Sequence, residues 1–245
     1  MITVLFKSIK KIHLTIVNLL IISGFSFAEP IGGVIESTGV TSLVRESERL
    51  ESDVGTDVNI YDEAETANGR MLIEFLDEEK LSLTENSLVY IDEAYYDPDP
   101  SLSKMSIRMA RGTARFASGS GNRIKKQNVD VSTPTANITM RGTDFTTTID
   151  ELGRTMVVLL PDEETGASSG EIVVYNDGGE VVLTEAYAAT VVSSYDTPPT
   201  QSVIVQGITP SMIDNMFIVN PPTEIREQIE EGYQDEQNQD QGLLD

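Results

Sequence analysis

His13 is the only histidine in the 245 residues, and the chain contains no cysteine and no tryptophan. Chemistry through imidazole therefore rests on one side chain, and that one lies in an N-terminal segment with the anatomy of a secretory signal. Once that segment is removed, triads and dyads built on His or Cys are excluded. Zinc sites of His and Cys, haem ligation by either residue and cysteine-held iron–sulfur clusters are excluded with them. Carboxylate, Lys, Ser, Thr and Tyr chemistry is what remains, with calcium or magnesium bound through oxygen. Acidic groups occur at Asp92-Glu93, Asp97-Pro98-Asp99 and Asp162-Glu163-Glu164. None has the ordered spacing of an EF-hand loop or a Gly-Asp nonapeptide repeat. Paired carboxylates can hydrolyse glycosides, but no pair stands out among 40 acids. Aromatic residues make up only 6% of the chain, so a sugar-stacking cleft is poorly supplied. The expectation is a non-catalytic protein with no cofactor and no metal.

Basic residues are scarcer and more telling. Arg108, Arg111, Arg115, Arg123, Lys125 and Lys126 fall within 19 residues, around a Gly119-Ser120-Gly121-Asn122 loop. This island could grip an anionic envelope glycan or an acidic partner. The plainer reading, which we favour, is solvated charge balancing acids such as Asp97, Asp99 or the C-terminal tail. A second group, Thr133-Pro134, Ala136 and Arg141-Gly142-Thr143, reads as architecture. Pro134 fixes φ and suits a strand start or edge. Gly142 permits a bulge or a close backbone approach, and Arg141 is expected to tie a turn rather than clamp a ligand.

These residues need elements to hold them. Lys7, Lys10 and Lys11 precede an apolar stretch from Leu14 to Ile22, and Ser26-Phe27-Ala28 ends in small residues at −3 and −1. That pattern predicts a signal peptide over 1–28; the stretch is short for a membrane span. Cleavage removes three of the 17 bases and no acid, leaving 40 acids against 14 bases, a net charge near −26. Such a charge argues against nucleic acid and against adhesion to anionic membranes.

Beyond the signal, apolar residues alternate with polar ones. Met71, Ile73 and Phe75 form one such set, and Met105, Ile107 and Met109 another. Ala136, Ile138 and Met140 repeat the pattern, as do Phe145, Thr147 and Ile149. This period of two predicts half-buried strands. Glu171–Tyr175 and Glu180–Thr184 flank Asn176-Asp177-Gly178-Gly179, a hairpin signature. Further runs bring the count to about a dozen strands, and so to a sandwich, barrel or solenoid. Ser211–Val219 and Glu224–Tyr233 read as short helices. The acidic stretch from Gln234 to Asp245 is expected to be disordered.

Between Arg45 and Phe145 the chain resembles the FecR family. The leading half carries Arg45, Gly55, Asp62-Glu63-Ala64-Glu65-Thr66-Ala67 and Asn68-Gly69-Arg70, then the strand Met71–Leu76, Asp77 and Leu81-Ser82-Leu83. More specific is the second half: Arg111-Gly112-Thr113-Ala114-Arg115-Phe116, then T-P-x-A-x-I-x-x-R-G-T-x-F from Thr133 to Phe145. Glu78-Glu79 departs from the Gly-Thr usual after the Asp. The resemblance spans roughly residues 40–195. It implies a twisted all-β domain, sandwich-like or solenoid-like, with no catalytic residues. Family members best understood relay an iron-siderophore signal from an outer-membrane receptor to a sigma factor. With 28 residues before the expected cleavage, a cytoplasmic anti-sigma domain is not expected here, nor a receptor-contacting C-terminal domain.

The expected organisation is a signal peptide at 1–28 and an all-β FecR-like domain at 29–206, followed by a helical extension at 207–233 and an acidic tail at 234–245. The expected role is a periplasmic or cell-surface binding or sensing scaffold. Its partner is an envelope protein or polysaccharide, with no nucleic acid and no stable membrane span. A glycan- or cell-wall-binding protein and a structural envelope protein are the alternatives, with a carboxylate-based hydrolase last.

Overall fold

Alternation of buried and exposed side chains dominates the computed structural model, which describes residues 29–97, 99, 102–117, 129–141, 143–162 and 165–207. The first strands are β1 (Gly32–Arg45), β2 (Glu48–Glu51), β3 (Asp57–Val58), β4 (Glu63–Phe75) and β5 (Lys80–Leu83). Then come β6 (Leu88–Tyr95), β7 (Lys104–Ala117), β8 (Val129–Ser132), β9 (Asn137–Arg141) and β10 (Phe145–Ile149). The last are β11 (Thr155–Leu159), β12 (Glu171–Asn176), β13 (Gly179–Leu183), β14 (Ala188–Val192) and β15 (Val203–Ile204).

All fifteen belong to one hydrogen-bonded network, whose main path runs β13-β12-β9-β8-β7-β10-β11-β14-β15. Every pairing is antiparallel except β7 with β8. Two short strands, β5 and β6, both bridge β4 to β7, but at different heights. Met71–Glu74 of β4 pairs with β5, while Glu63–Glu65 pairs with β6. On β7, the Lys80–Leu83 partners are Ala114–Ala117, and the Leu88–Tyr95 partners are Lys104–Arg111. The network thus forks into two halves joined by the long strands β1, β4 and β7. Bends at the fork are made by glycine. Gly39 faces Gly69 at a register shift between β1 and β4, and a Cβ on Gly69 would sit 2.7 Å from the Val40 nitrogen. Gly112 of β7 has φ +89, and a Cβ there would lie 2.7 Å from that of Ser87. Strands that bend in this way can pass from one layer to another.

One contiguous core draws on both halves: Val131, Ile138 and Ile172 from one, Phe116, Phe145 and Leu159 from the other. The sheet therefore curls around its own interior. Phe116 and Phe145 are paired across β7 and β10 and stack with centroids 4.9 Å apart. Each such side chain contributes about 1.5–3 kcal/mol by burial. Two buried hydroxyls between the strands are satisfied by main chain. Thr66 donates to the Thr84 carbonyl, and Ser87 Oγ donates to the Thr113 carbonyl at 3.0 Å.

The fold is all-β, as the period-two pattern predicts. Met71, Ile73, Met105, Ile107, Ile138 and Phe145 are buried, and the Asp177-Gly178 turn joins β12 to β13 in the expected hairpin. Asp77-Glu78-Glu79 turns the chain between β4 and β5, and Glu78 has φ +69. The family's usual glycine would sit at this left-handed position without strain. The fourteen-residue β1 was not legible as a single strand. Its apolar alternation is broken by bulges between Val34 and Glu36 and between Gly39 and Thr41. The expected signal peptide, helices and acidic tail lie outside the described residues.

Candidate functional site

The three described arginines of the basic island all stand on β7, and each meets its own carboxylate. Arg108 binds Asp92 through Nε at 2.6 Å and Nη2 at 2.8 Å, and its guanidinium lies 4.8 Å from the centroid of the Tyr90 ring. Arg111 donates to Glu65 at 2.8 Å, and the other Glu65 oxygen accepts from Arg49. Arg115 binds Asp144 through Nε at 3.1 Å and Nη2 at 2.6 Å. Asp92 stands on β6 and Glu65 on β4, and Asp144 immediately precedes β10. From Arg108 to Arg115 the strand rises about 23 Å, so the arginines form a line rather than one patch. Arg123, Lys125 and Lys126 lie outside the described residues.

Burial separates the members of that line. The Arg108 and Arg111 side chains are 57% and 49% exposed, whereas Arg115 and Asp144 are each 12% exposed. Hydrogen bonding to Asp92 raises the Arg108 pKa. The hydrogen bond from Arg49, with the charges of Arg49 and Arg111, pulls the Glu65 carboxyl below its usual range. A fourth pair escaped the reading of the sequence. Arg45 Nε and Nη2 bind both oxygens of Asp62 at 2.8 and 2.7 Å, and Asp62 is fully buried. The Asn59 N–H also donates to Asp62 at 2.8 Å. That bonding raises the Arg45 pKa. Arg45 ends β1 and Asp62 immediately precedes β4, seventeen positions apart, and no local spacing connects them.

Thr133, Pro134 and Ala136 occupy the turn between β8 and β9. Thr133 Oγ1 donates to the Ala136 carbonyl and accepts from the Ala136 N–H, at 2.9 and 3.0 Å. Thr135 Oγ1 reaches Thr155 Oγ1 at 2.8 Å, and Thr155 Oγ1 donates onward to Thr133 Oγ1 at 2.8 Å. From the hairpin, Asn176 Nδ2 donates to the Thr135, Ser194 and Thr197 carbonyls. The turn thus fastens β8–β9 to β11, β14 and the β12–β13 hairpin. Pro134 lies in the turn, before β9 begins. Thr143 is buried and hydrogen-bonded to Ser169 at 2.6 Å, beside Asp144. Arg141 closes β9, and Gly142 lies outside the described residues.

Residues 62–161 match the FecR protein family. This chain carries a FecR-type domain. No curated protein matches it. The matched segment of the FecR-type domain begins at Asp62 and ends at Pro161, so it holds the fork, both β7 pairings, Arg115–Asp144 and the Thr133–Ala136 turn. Arg45, which completes the Asp62 pair, lies on β1, before the matched segment.

On the outer face of β1, β4, β5 and β7, in the half that contains Arg115, a cavity of about 520 Å³ opens to solvent. Its walls include Glu36, Thr38, Arg70, Lys80, Ser82 and Arg115. Cross-strand register sets Glu36 opposite Leu72, Leu72 opposite Ser82 and Ser82 opposite Arg115, with Thr38 opposite Arg70. The bulge at Ile35 is what turns Glu36 to this face, a shift of alternation that no local pattern announces. Among the described residues, no helix is long and apolar enough to cross a membrane.

Proposed function

We propose that this protein is an exported, non-catalytic FecR-domain module that binds and senses a component of the bacterial envelope. The observation that carries the reading is the FecR-type domain itself, with the arginines of its longest central strand divided into a buried and an exposed set. Arg115 is committed to Asp144, and its role is to tie β7 to the start of β10. Arg108 and Arg111 stand exposed, in pairs whose internal attraction is worth about 0–1 kcal/mol. A partner carboxylate can replace Asp92 or Glu65 at little cost, so the outer face of β6–β7 is the recognition surface. Export follows from the signal-peptide pattern of residues 1–28, which places the module in the periplasm or at the cell surface. The acidic surface beyond that face keeps the chain soluble and repels nucleic acid.

The test is affinity capture from a solubilised envelope fraction on the exported protein, with retained proteins and polysaccharides identified. A specific component held by the wild type and released by the Arg108→Ala/Arg111→Ala double variant supports the reading. Equal retention by both proteins, or none by either, would contradict it.

A further inference from the structure

We infer that the cavity on the outer face of β1–β4–β5–β7 is a binding site for a small polyhydroxylated carboxylate, a sugar acid. This site lies on the opposite side of the fork from Arg108, and the inference stands whether or not that surface binds a partner. Two charges of opposite sign line the same space without meeting. Among the described residues, neither the Arg70 nor the Glu36 side chain makes a hydrogen bond or an ion pair, although Thr38 and Arg70 are cross-strand partners two residues along β1 from Glu36. In a chain with 40 acids and 17 bases, a cation on a sheet face whose side chain pairs with no carboxylate is unusual, because acids are the commonest charged neighbours. The space between these charges fits a ligand with a negative end for Arg70 and hydrogen-bond donors for Glu36.

The rest of the lining narrows the class. Lys80 and Arg115 add positive charge, and Arg115 is held rigid by Asp144. Lys80 is only loosely engaged, its Nζ 3.7 Å from Glu74. A guanidinium binds a carboxylate through two parallel hydrogen bonds. Thr38 and Ser82 supply hydroxyls that both donate and accept, which suits sugar hydroxyls better than an apolar acid. A cavity of about 520 Å³ falls in the range of small-molecule sites and accommodates one or two sugar rings. Such an acid could arrive free or as a residue of an acidic polysaccharide, and both present the same group.

Isothermal titration of the exported protein with D-galacturonate, a short oligogalacturonate, galactose, acetate and glycine decides the matter. Galacturonate or its oligomer should bind, and galactose, lacking the carboxylate, should give no signal. Binding of the monomer points to the free acid; binding of the oligomer alone points to the polysaccharide. Arg70→Ala should weaken binding at least about tenfold, and Glu36→Gln should weaken it less, both with unchanged melting temperatures because neither residue has a partner to lose. Should Arg70→Ala fold poorly, Arg70→Gln provides the same readout. The inference is overturned if neither galacturonate form binds or if galactose binds as well as galacturonate. It is equally overturned if acetate or glycine binds as tightly, or if folded Arg70 and Glu36 variants bind like the wild type.

Discussion

Arg45–Asp62 and Arg108–Asp92 are built alike, each a guanidinium whose Nε and Nη2 meet both oxygens of one aspartate, yet they differ in what surrounds them. Asp62 is fully buried, and its carboxylate also accepts from the Asn59 N–H. Asp92 is 30% exposed and its arginine 57% exposed, over the Tyr90 ring. A carboxylate sealed away from water cannot be re-solvated when its partner is lost, whereas one at the surface regains water at once. The same pair of residue types therefore holds the fold in one place and leaves charge exchangeable in the other. Arg115–Asp144 falls between them, mostly buried but at the margin of a cavity.

That ordering sets the expected effects. Arg45→Ala leaves Asp62 charged and enclosed, and it should cost about 3 kcal/mol of stability, measured by urea unfolding. A loss below about 1 kcal/mol would mean that water reaches Asp62 when Arg45 is absent. Arg115→Ala should cost about 2 kcal/mol, with Asp144→Asn restoring part of it in the double variant because the orphaned charge is then gone. Strict additivity of the two substitutions would break the comparison, since it would show that the two side chains do not act as a pair. Arg108→Ala should cost less than about 1 kcal/mol and leave the chemical denaturation slope unchanged.

The smallest effect concerns acid. Glu65 has its folded-state pKa lowered, chiefly by the Arg49 hydrogen bond. Its contribution is therefore present above the unfolded value near 4.5 and is lost as pH falls through the lower folded value. Glu65→Gln should lower stability slightly at neutral pH, where that contribution is fully present, and make stability less steeply dependent on pH below about 4.5. An unchanged acid limb would show that the Arg49–Glu65–Arg111 cluster does not persist in solution.

Much of the fold was written in local pattern. Met71, Ile73 and Phe75 alternate with polar neighbours and are buried on β4, and the Asp177-Gly178 turn announces its hairpin by composition alone. What the sequence conceals is whatever depends on register between distant strands. The bulge at Ile35 reverses which β1 residues face inward, so Glu36 cannot be placed from alternation. The Arg45–Asp62 pair requires β1 and β4 to run side by side in a particular register, and Arg70 joins Glu36 only through the same pairing. Conversely, the cluster of Arg108, Arg111 and Arg115 looked like one island because sequence distance is short, but an extended strand spreads it over three separate carboxylates. The Thr133–Ala136 turn shows a middle case. Its composition reads as a turn, but the hydroxyl chain to Thr155 and the Asn176 clamp join residues far apart in sequence and have no local signal.

Melting temperature and envelope capture measured on the same Arg108→Ala/Arg111→Ala sample test the division between structural and recognising arginines most directly. The account predicts a melting temperature close to that of the wild type together with loss of the captured component. A double variant that melts far lower while still retaining that component would contradict it.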